Sequence, residues 1–214
     1  MSKVKINIDG KEVQAESGQM VLDAALANGI YIPHLCHHPE LTPRGVCRLC
    51  LVEMADGELM TACRIPVIAG MVVKTKTEKI DKAIRPVVEL LIAYHHDTCR
   101  GCPAIGKCEL QTVMSHLKID RRRVRRLRPP SVKKQIDIMN PCFDYDPNRC
   151  ILCGICIYTC EEIRGSSLLY YIGRGHETKI AFYGDEKICT SCLKCVVRCP
   201  VGGLMLKKPI EVKS

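Results

Sequence analysis

Tryptophan is absent from this sequence, phenylalanine occurs twice, and aromatic residues make up only 4% of the 214 positions. A core built on large aromatic side chains is therefore excluded, as is a nucleic-acid surface that relies on a row of stacking rings. No apolar run approaches the roughly 18 residues that a membrane-spanning helix needs. The opening stretch, MSKVKINIDG, alternates apolar and polar residues as a strand does and lacks the apolar segment of a secretory signal peptide. There is no P-loop, and no Gly-x-Gly-x-x-Gly follows a strand; GRGHE (173–177) reads only as a turn. With no catalytic constellation visible, a nucleotide or flavin site is expected in a partner rather than in this chain.

Cysteine, by contrast, is abundant, with 16 residues. They fall into tight C-x-x-C groups, too close for most disulfide frameworks and suited to metal. Together with the missing signal segment, this predicts a cytoplasmic chain whose thiols are held by metal. Cys150, Cys153, Cys156 and Cys160 form CILCGICIYTC, and Cys189, Cys192, Cys195 and Cys199 form CTSCLKCVVRC. Both are C-x2-C-x2-C-x3-C, an internal repeat offset by 39 residues. Three thiolates at this spacing grip three corners of an iron–sulfur cube, and the fourth reaches across to the other cube. The expected ligand sets are Cys150, Cys153, Cys156 and Cys199 for one [4Fe-4S] cluster, and Cys160, Cys189, Cys192 and Cys195 for its twin. Paired zinc sites are the competing reading, but a doubled four-cysteine run is far more specific than two C-x-x-C pairs. Pro200 follows the second run as in ferredoxins; Glu161 stands where the first run would have its proline.

Cys36, Cys47, Cys50 and Cys63 are spaced C-x10-C-x2-C-x12-C. Plant-type [2Fe-2S] ferredoxins have C-x4-C-x2-C and a distant fourth cysteine; here the first loop is longer. Cys99, Cys102 and Cys108 (C-x2-C-x5-C) are three ligands in need of a fourth. By spacing alone His95, His96 and Cys142 all compete for that place. The remaining histidines, His34, His37, His38, His116 and His176, read as ordinary solvated residues.

The local patterns agree with these sites. VKINIDGKEVQAE (4–16) is a hairpin signal with its turn at Asp9-Gly10. Residues 19–29 follow at helical spacing, with Gly29 as the stop. Hairpin then helix is how a β-grasp domain begins. Residues 78–96 read as a helix with an apolar stripe through Ile80, Ala83, Ile84, Val87, Leu91 and Tyr94, kinked or split at Pro86. Residues 166–184 read as two strands about the Gly173–Gly175 turn. The predicted class is α+β, in four parts. A [2Fe-2S] β-grasp ferredoxin domain occupies 1–78. A small helical [4Fe-4S] domain, with one histidine and three cysteines as ligands, occupies 79–118. A basic linker covers 119–140, and a bacterial-type 2[4Fe-4S] ferredoxin domain covers 141–214.

The order of these motifs, C-x10-C-x2-C, then H-x3-C-x2-C-x5-C, then paired four-cysteine runs, covers nearly the whole chain. It resembles the N-terminal electron-transfer module of [FeFe] hydrogenases, the start of the complex I large iron–sulfur subunit, and the diaphorase iron–sulfur subunit of NAD(P)-linked [NiFe] hydrogenases. The resemblance implies that His95, rather than His96 or Cys142, joins Cys99, Cys102 and Cys108. It thus implies one [2Fe-2S] and three [4Fe-4S] clusters, leaving Cys142 over as a buried small hydrophobe. The expected match is the stand-alone diaphorase subunit, because the other relatives continue for hundreds of residues beyond their last cube. The implied role is an electron relay in a hetero-oligomer, between a flavin/NAD(P)-binding diaphorase subunit and the small and large subunits of a [NiFe] hydrogenase. NAD-dependent formate dehydrogenase is the alternative assembly.

The charge is uneven. Between Ile119 and Lys134 six Arg and two Lys face Asp120 alone, so this stretch carries most of the +9 net charge. A nucleic-acid-binding reading of RRRVRRLR (121–128), with structural clusters, lacks interleaved aromatics. No nucleic-acid partner is therefore expected. Docking on acidic partner subunits, packing about the anionic clusters, or a solvated helix face account for the run instead.

Overall fold

The computed structural model describes the chain apart from residues 1, 96–98, 129, 131–133, 139, 141, 185–188, 190–191 and 208–214. It divides into two compact units, Met1–Leu90 with Gln111–Arg121, and Leu91–Leu110 with Arg122–Ser214.

The first unit is a five-stranded sheet in the order β2-β1-β5-β3-β4. Strands β1 (Lys3–Ile8) and β2 (Lys11–Glu16) form the expected hairpin. Asp9 and Gly10 both take positive φ, 54° and 83°, as a turn matched to strand twist requires. Asp9 also reaches out of the turn: its carboxylate accepts the Thr75 backbone N–H at 2.7 Å and the Thr75 hydroxyl. Helix α1 (Val21–Ala27) buries Val21, Leu22, Ala24 and Ala25 in the sheet's core. It ends where expected: Gly29 donates to Leu26 O and Ile30 to Ala25 O, the paired bonds of a glycine stop. Strands β3 (Leu51–Met54), β4 (Leu59–Thr61) and β5 (Val72–Lys74) complete the sheet, and β5 runs parallel to β1.

Helix α2 (Glu78–Tyr94) runs without interruption through Pro86, so the expected split does not occur. The proline still removes one N–H and crowds a carbonyl one turn back. Against that cost stand the buried Ile80, Ile84, Val88 and Ile92, each one turn from the next, and the Lys82–Glu78 and Arg85–Asp81 pairs. The buried stripe is rotated from the expected one, with Ala83 exposed and Tyr94 63% exposed. Helices α3 (Glu109–His116) and α4 (Arg121–Arg126) follow; in α4 Val124 is buried while Arg121, Arg122, Arg123, Arg125 and Arg126 are exposed.

The second unit pairs β6 (Phe143–Tyr145) with β9 (Leu204–Leu206), and β7 (Leu169–Ile172) with β8 (Lys179–Phe182), both antiparallel. The connection between β7 and β8 begins at the expected Gly173–Gly175 but runs on to residue 178 through a 3-10 turn at Gly175–Glu177. Two short helices, α5 (Ile155–Tyr158) and α6 (Lys194–Val197), carry the repeat. Each is entered through a left-handed residue, Gly154 (φ 80°) and Leu193 (φ 49°), at equivalent positions of the two runs. A β-carbon at Gly154 would lie 2.6 Å from Tyr171 Oη and 2.7 Å from a Tyr158 ring carbon, so a larger residue there would displace both tyrosine side chains.

After α5 and α6 the halves diverge. Pro200, with no N–H, follows Cys199, and the helix stops at Val197. At the matching place Glu161 keeps its N–H, and the backbone continues as a π-turn over Thr159–Ile163, carrying Cys160.

Candidate iron–sulfur sites

In the first unit, Cys36 lies after α1, Cys47 and Cys50 lie on the loop leading into β3, and Cys63 sits in a 3-10 turn after β4. Arg48, at φ 57°, lets the chain reverse between Cys47 and Cys50. Cys36, Cys50 and Cys63 are buried. The Cys47 backbone N–H donates to Cys36 Sγ at 3.3 Å. The thiols pair: the Cys36–Cys47 hydrogen bond, then burial, pushes Cys36 up, and the same bond brings Cys47 down to about 6. Cys50 is likewise pushed up, and Cys63 down, by their mutual bond. The two pairs also act on each other, since Cys63 raises Cys36 and Cys47 raises Cys63.

Of the histidines expected to be solvated, His37 is not. Its side chain is 5% exposed and its Nε2 lies 2.8 Å from Asp23 Oδ1. Burial, outweighing Asp23, pushes its pKa down.

In the second unit one cavity is lined by Cys150, Cys153, Cys156 and Cys199 together with Tyr145 and Leu204. These four cysteines are the ones expected to share one cube across the two runs. Donors point at the sulfurs: Leu152 N to Cys150 Sγ at 3.4 Å and Gly203 N to Cys199 Sγ at 3.2 Å. Cys156 is pushed well up, first by burial and then by Cys153, Cys150 and Cys199. Cys195 is pushed up to about 12, first by burial and then by Cys189, Cys160 and Cys192, which are its expected partners. On Cys160 burial opposes backbone N–H bonds from Leu168 and Leu169.

Cys99 and Cys102 are half-buried and Cys108 is buried. Their loop turns through Cys102 N to Cys99 O and Ile105 N to Cys102 O. The Cys102 thiol faces Val201 O at 3.9 Å. His95 is half-buried at the end of α2, its N–H on Leu91 O; His96 lies outside the described residues. Cys142 is half-buried rather than buried. Its N–H is held by Asn140 Oδ1 at 2.8 Å.

Among the described residues, no three His, Cys, Asp or Glu side chains converge as ligands of a single metal ion do. The donor set fits clusters on a different ground. Thiolates packed in a dry site repel one another, and a cationic iron core offsets that repulsion.

Two donors escape a reading of spacing, because they lie outside the cysteine runs. Tyr145 lines the cavity beside Cys150, and the Asn140 amide faces Cys189 Sγ at 3.7 Å.

Three family profiles match in series: a 2Fe-2S iron–sulfur cluster binding domain over residues 1–78, the NADH-ubiquinone oxidoreductase-G iron–sulfur binding region over 85–123, and the ferredoxin-like domain of NADH-quinone oxidoreductase subunit 3 over 140–205. The chain is 35% identical over 99% of its length to the NADPH-Fe(3+) oxidoreductase subunit alpha of Geobacter sulfurreducens, covering 25% of that protein. It is 34% identical over 100% of its length to the mitochondrial NADH-ubiquinone oxidoreductase 78 kDa subunit of Neurospora crassa, covering 30%. The chain thus spans between a quarter and a third of the length of these relatives. Among solved structures, a chain of the NAD+-reducing [NiFe]-hydrogenase in the H2-reduced state superposes with TM-score 0.82 at 32% identity, over 100% of this chain and 91% of that one. The protein belongs to the family of iron–sulfur electron-transfer chains that contains this hydrogenase chain and shares its domains with the NADH-quinone oxidoreductases.

Proposed function

We propose that this chain is the electron-relay subunit that wires a flavin-bearing, NAD(P)H-oxidising subunit to the active site of a multisubunit [NiFe] hydrogenase. The observation that carries the reading is the cavity lined by Cys150, Cys153, Cys156 and Cys199. Two cysteine runs 39 residues apart contribute to one site, as the crossed ligand pattern of a two-cube ferredoxin requires. The superposition on the hydrogenase chain over the whole of this chain, at TM-score 0.82, supports the hydrogenase assembly.

In this reading Cys36, Cys47, Cys50 and Cys63 hold a [2Fe-2S] cluster, and His95, Cys99, Cys102 and Cys108 hold a [4Fe-4S] cluster. Cys150, Cys153, Cys156 and Cys199 hold a second cube, and Cys160, Cys189, Cys192 and Cys195 a third. When bound, these groups supply one-electron redox chemistry. The protein's own contribution is spacing, exclusion of water, and N–H and O–H donors at the sulfurs. The loop 99–108 fits a relay, since it packs on the segment that carries Cys199: Glu109 N bonds to Pro200 O at 3.0 Å.

Anaerobic native purification, metal analysis and identification of the bound subunits test this. About fourteen irons per chain, with a flavoprotein and a nickel-containing pair, are expected. Zinc in place of iron would overturn the cluster reading, and a molybdopterin-bearing partner would move the chain to a formate dehydrogenase.

A further inference from the structure

The two four-cysteine runs are near copies, and the polar side chains that reach their first cysteines come from outside them. Both lie on the stretch just before the first run. Asn140 is 4% exposed and Tyr145 5%. The Asn140 Oδ1 accepts the N–H groups of Cys142 at 2.8 Å and Phe143 at 3.1 Å. These two bonds fix the amide plane and turn Nδ2 to Cys189 Sγ at 3.7 Å. The Tyr145 oxygen accepts the Ile180 N–H at 3.2 Å, and its own proton is free to turn into the cavity that Tyr145 shares with Cys150. Tyr145 lines the cavity with Cys150, Cys153, Cys156 and Cys199.

Cys150 and Cys189 are equivalent, each the first cysteine of its run. One short segment therefore gives one buried donor to the corresponding sulfur of each half. A hydrogen bond to a thiolate ligand strengthens as the cluster gains negative charge, so it favours the reduced state.

Resting on the ligand sets proposed above, we propose that Asn140 and Tyr145 are potential-setting positioning residues, Tyr145 for the cube held by Cys150 and Asn140 for the cube held by Cys189. Each raises the midpoint of its own cube and leaves the other unchanged. Because they are separate residues of one segment, the two potentials can be set independently, although the cysteine runs are alike.

The experiment is an EPR-monitored redox titration of the holoprotein as wild type, Tyr145→Phe and Asn140→Asp. Tyr145→Phe deletes the O–H and with it the acceptor of the Ile180 N–H, while keeping the ring in place. Asn140→Asp keeps the oxygen that receives the Cys142 and Phe143 N–H groups and puts a carboxylate oxygen in place of the donor to sulfur, so the lost donor and the added negative charge act in the same direction. Each substitution is expected to lower one midpoint, and the two are expected to move different signals. A tenfold weaker reduction equilibrium is a 59 mV shift for a one-electron couple, and a shift of about that size is expected for Tyr145→Phe. The coupling from the tyrosine hydroxyl proton, identified by its exchange in D2O, should be missing from that signal in Tyr145→Phe.

Unchanged midpoints in both variants, with wild-type iron content, would overturn the inference while leaving the cluster reading intact. Movement of both cubes together in each variant would also overturn it, since that reports general loosening. Absence of any cube signal from the wild-type protein would overturn the underlying reading, and the inference with it.

Discussion

The backbone N–H of Glu109 donates to the carbonyl of Pro200 at 3.0 Å. Two residues on from Pro200, Gly202 turns at φ 71°, and a β-carbon there would lie 3.0 Å from Pro103 Cγ and 3.2 Å from Ala104 N. The loop that carries Cys99, Cys102 and Cys108 thus rests on the loop that carries Cys199, so closely that a β-carbon at Gly202 would need its neighbours to shift by a few tenths of an ångström. Gly202→Ala is expected to strain the left-handed turn and push the 99–108 loop away. Iron should fall from about fourteen to about ten per chain, the loss of one four-iron cube. Full iron retention would mean that the contact does not support the site of Cys99, Cys102 and Cys108.

His95 makes a second prediction. A [4Fe-4S]2+ cube with four thiolates carries about −2, and with three thiolates and a neutral imidazole about −1; less negative charge favours reduction, as in Rieske centres. His95→Cys should therefore lower the midpoint of this cluster without loss of iron. A redox titration with no shift would remove the charge argument, and loss of four irons would show that the site needs the imidazole's reach.

Much of this was legible in the chain itself. Val4, Ile6 and Ile8 alternate up to the Asp9-Gly10 turn, so the first hairpin declares itself. The cysteine runs declare their sites because ligand geometry is local in sequence. Strands β3, β4 and β5 are only three or four residues long, too short for a period to register. The unbroken α2 was hidden for a different reason. A proline's local cost is visible in sequence, whereas the tertiary burial of Ile84 and Val88 that offsets it is not. The donor Asn140 was invisible because it reaches Cys189 over a separation of 49 residues; Tyr145 lies close to Cys150 in sequence, but no spacing rule aims its side chain into that cavity.

That balance in α2 is testable. Pro86→Ala restores the missing N–H and removes the clash with the preceding turn. Pro86 is exposed, so little packing is lost. The helix should gain about 2 kcal/mol, the interior cost of a proline less the entropy it removes from the unfolded chain. Hydrogen exchange of the α2 amides after residue 86 should slow by roughly an order of magnitude or more. Unchanged exchange would mean that the surrounding fold already absorbs the defect.

Iron removal should separate the two units. Among the described residues, the first unit's core joins 17 buried side chains, including Ile6, Leu22, Val52 and Val73, of which only Cys50 and Cys63 are expected ligands. The second unit's main cluster joins six, Phe143, Tyr145, Leu169, Ile180, Cys195 and Leu204, with Cys150, Cys156, Cys189 and Cys199 packed at its edge. A core this small cannot offset the entropy of ordering its loops without a metal staple. Anaerobic chelation of the holoprotein should leave slow-exchanging amides in β1, β2 and α1 and abolish protection in β6, β9 and the helices of the repeat. Refolding with iron and sulfide should restore both. A stripped protein that kept dispersed, protected resonances across 141–205 would show that those strands hold without their clusters, and the view of this segment as insulation folded around iron would fail.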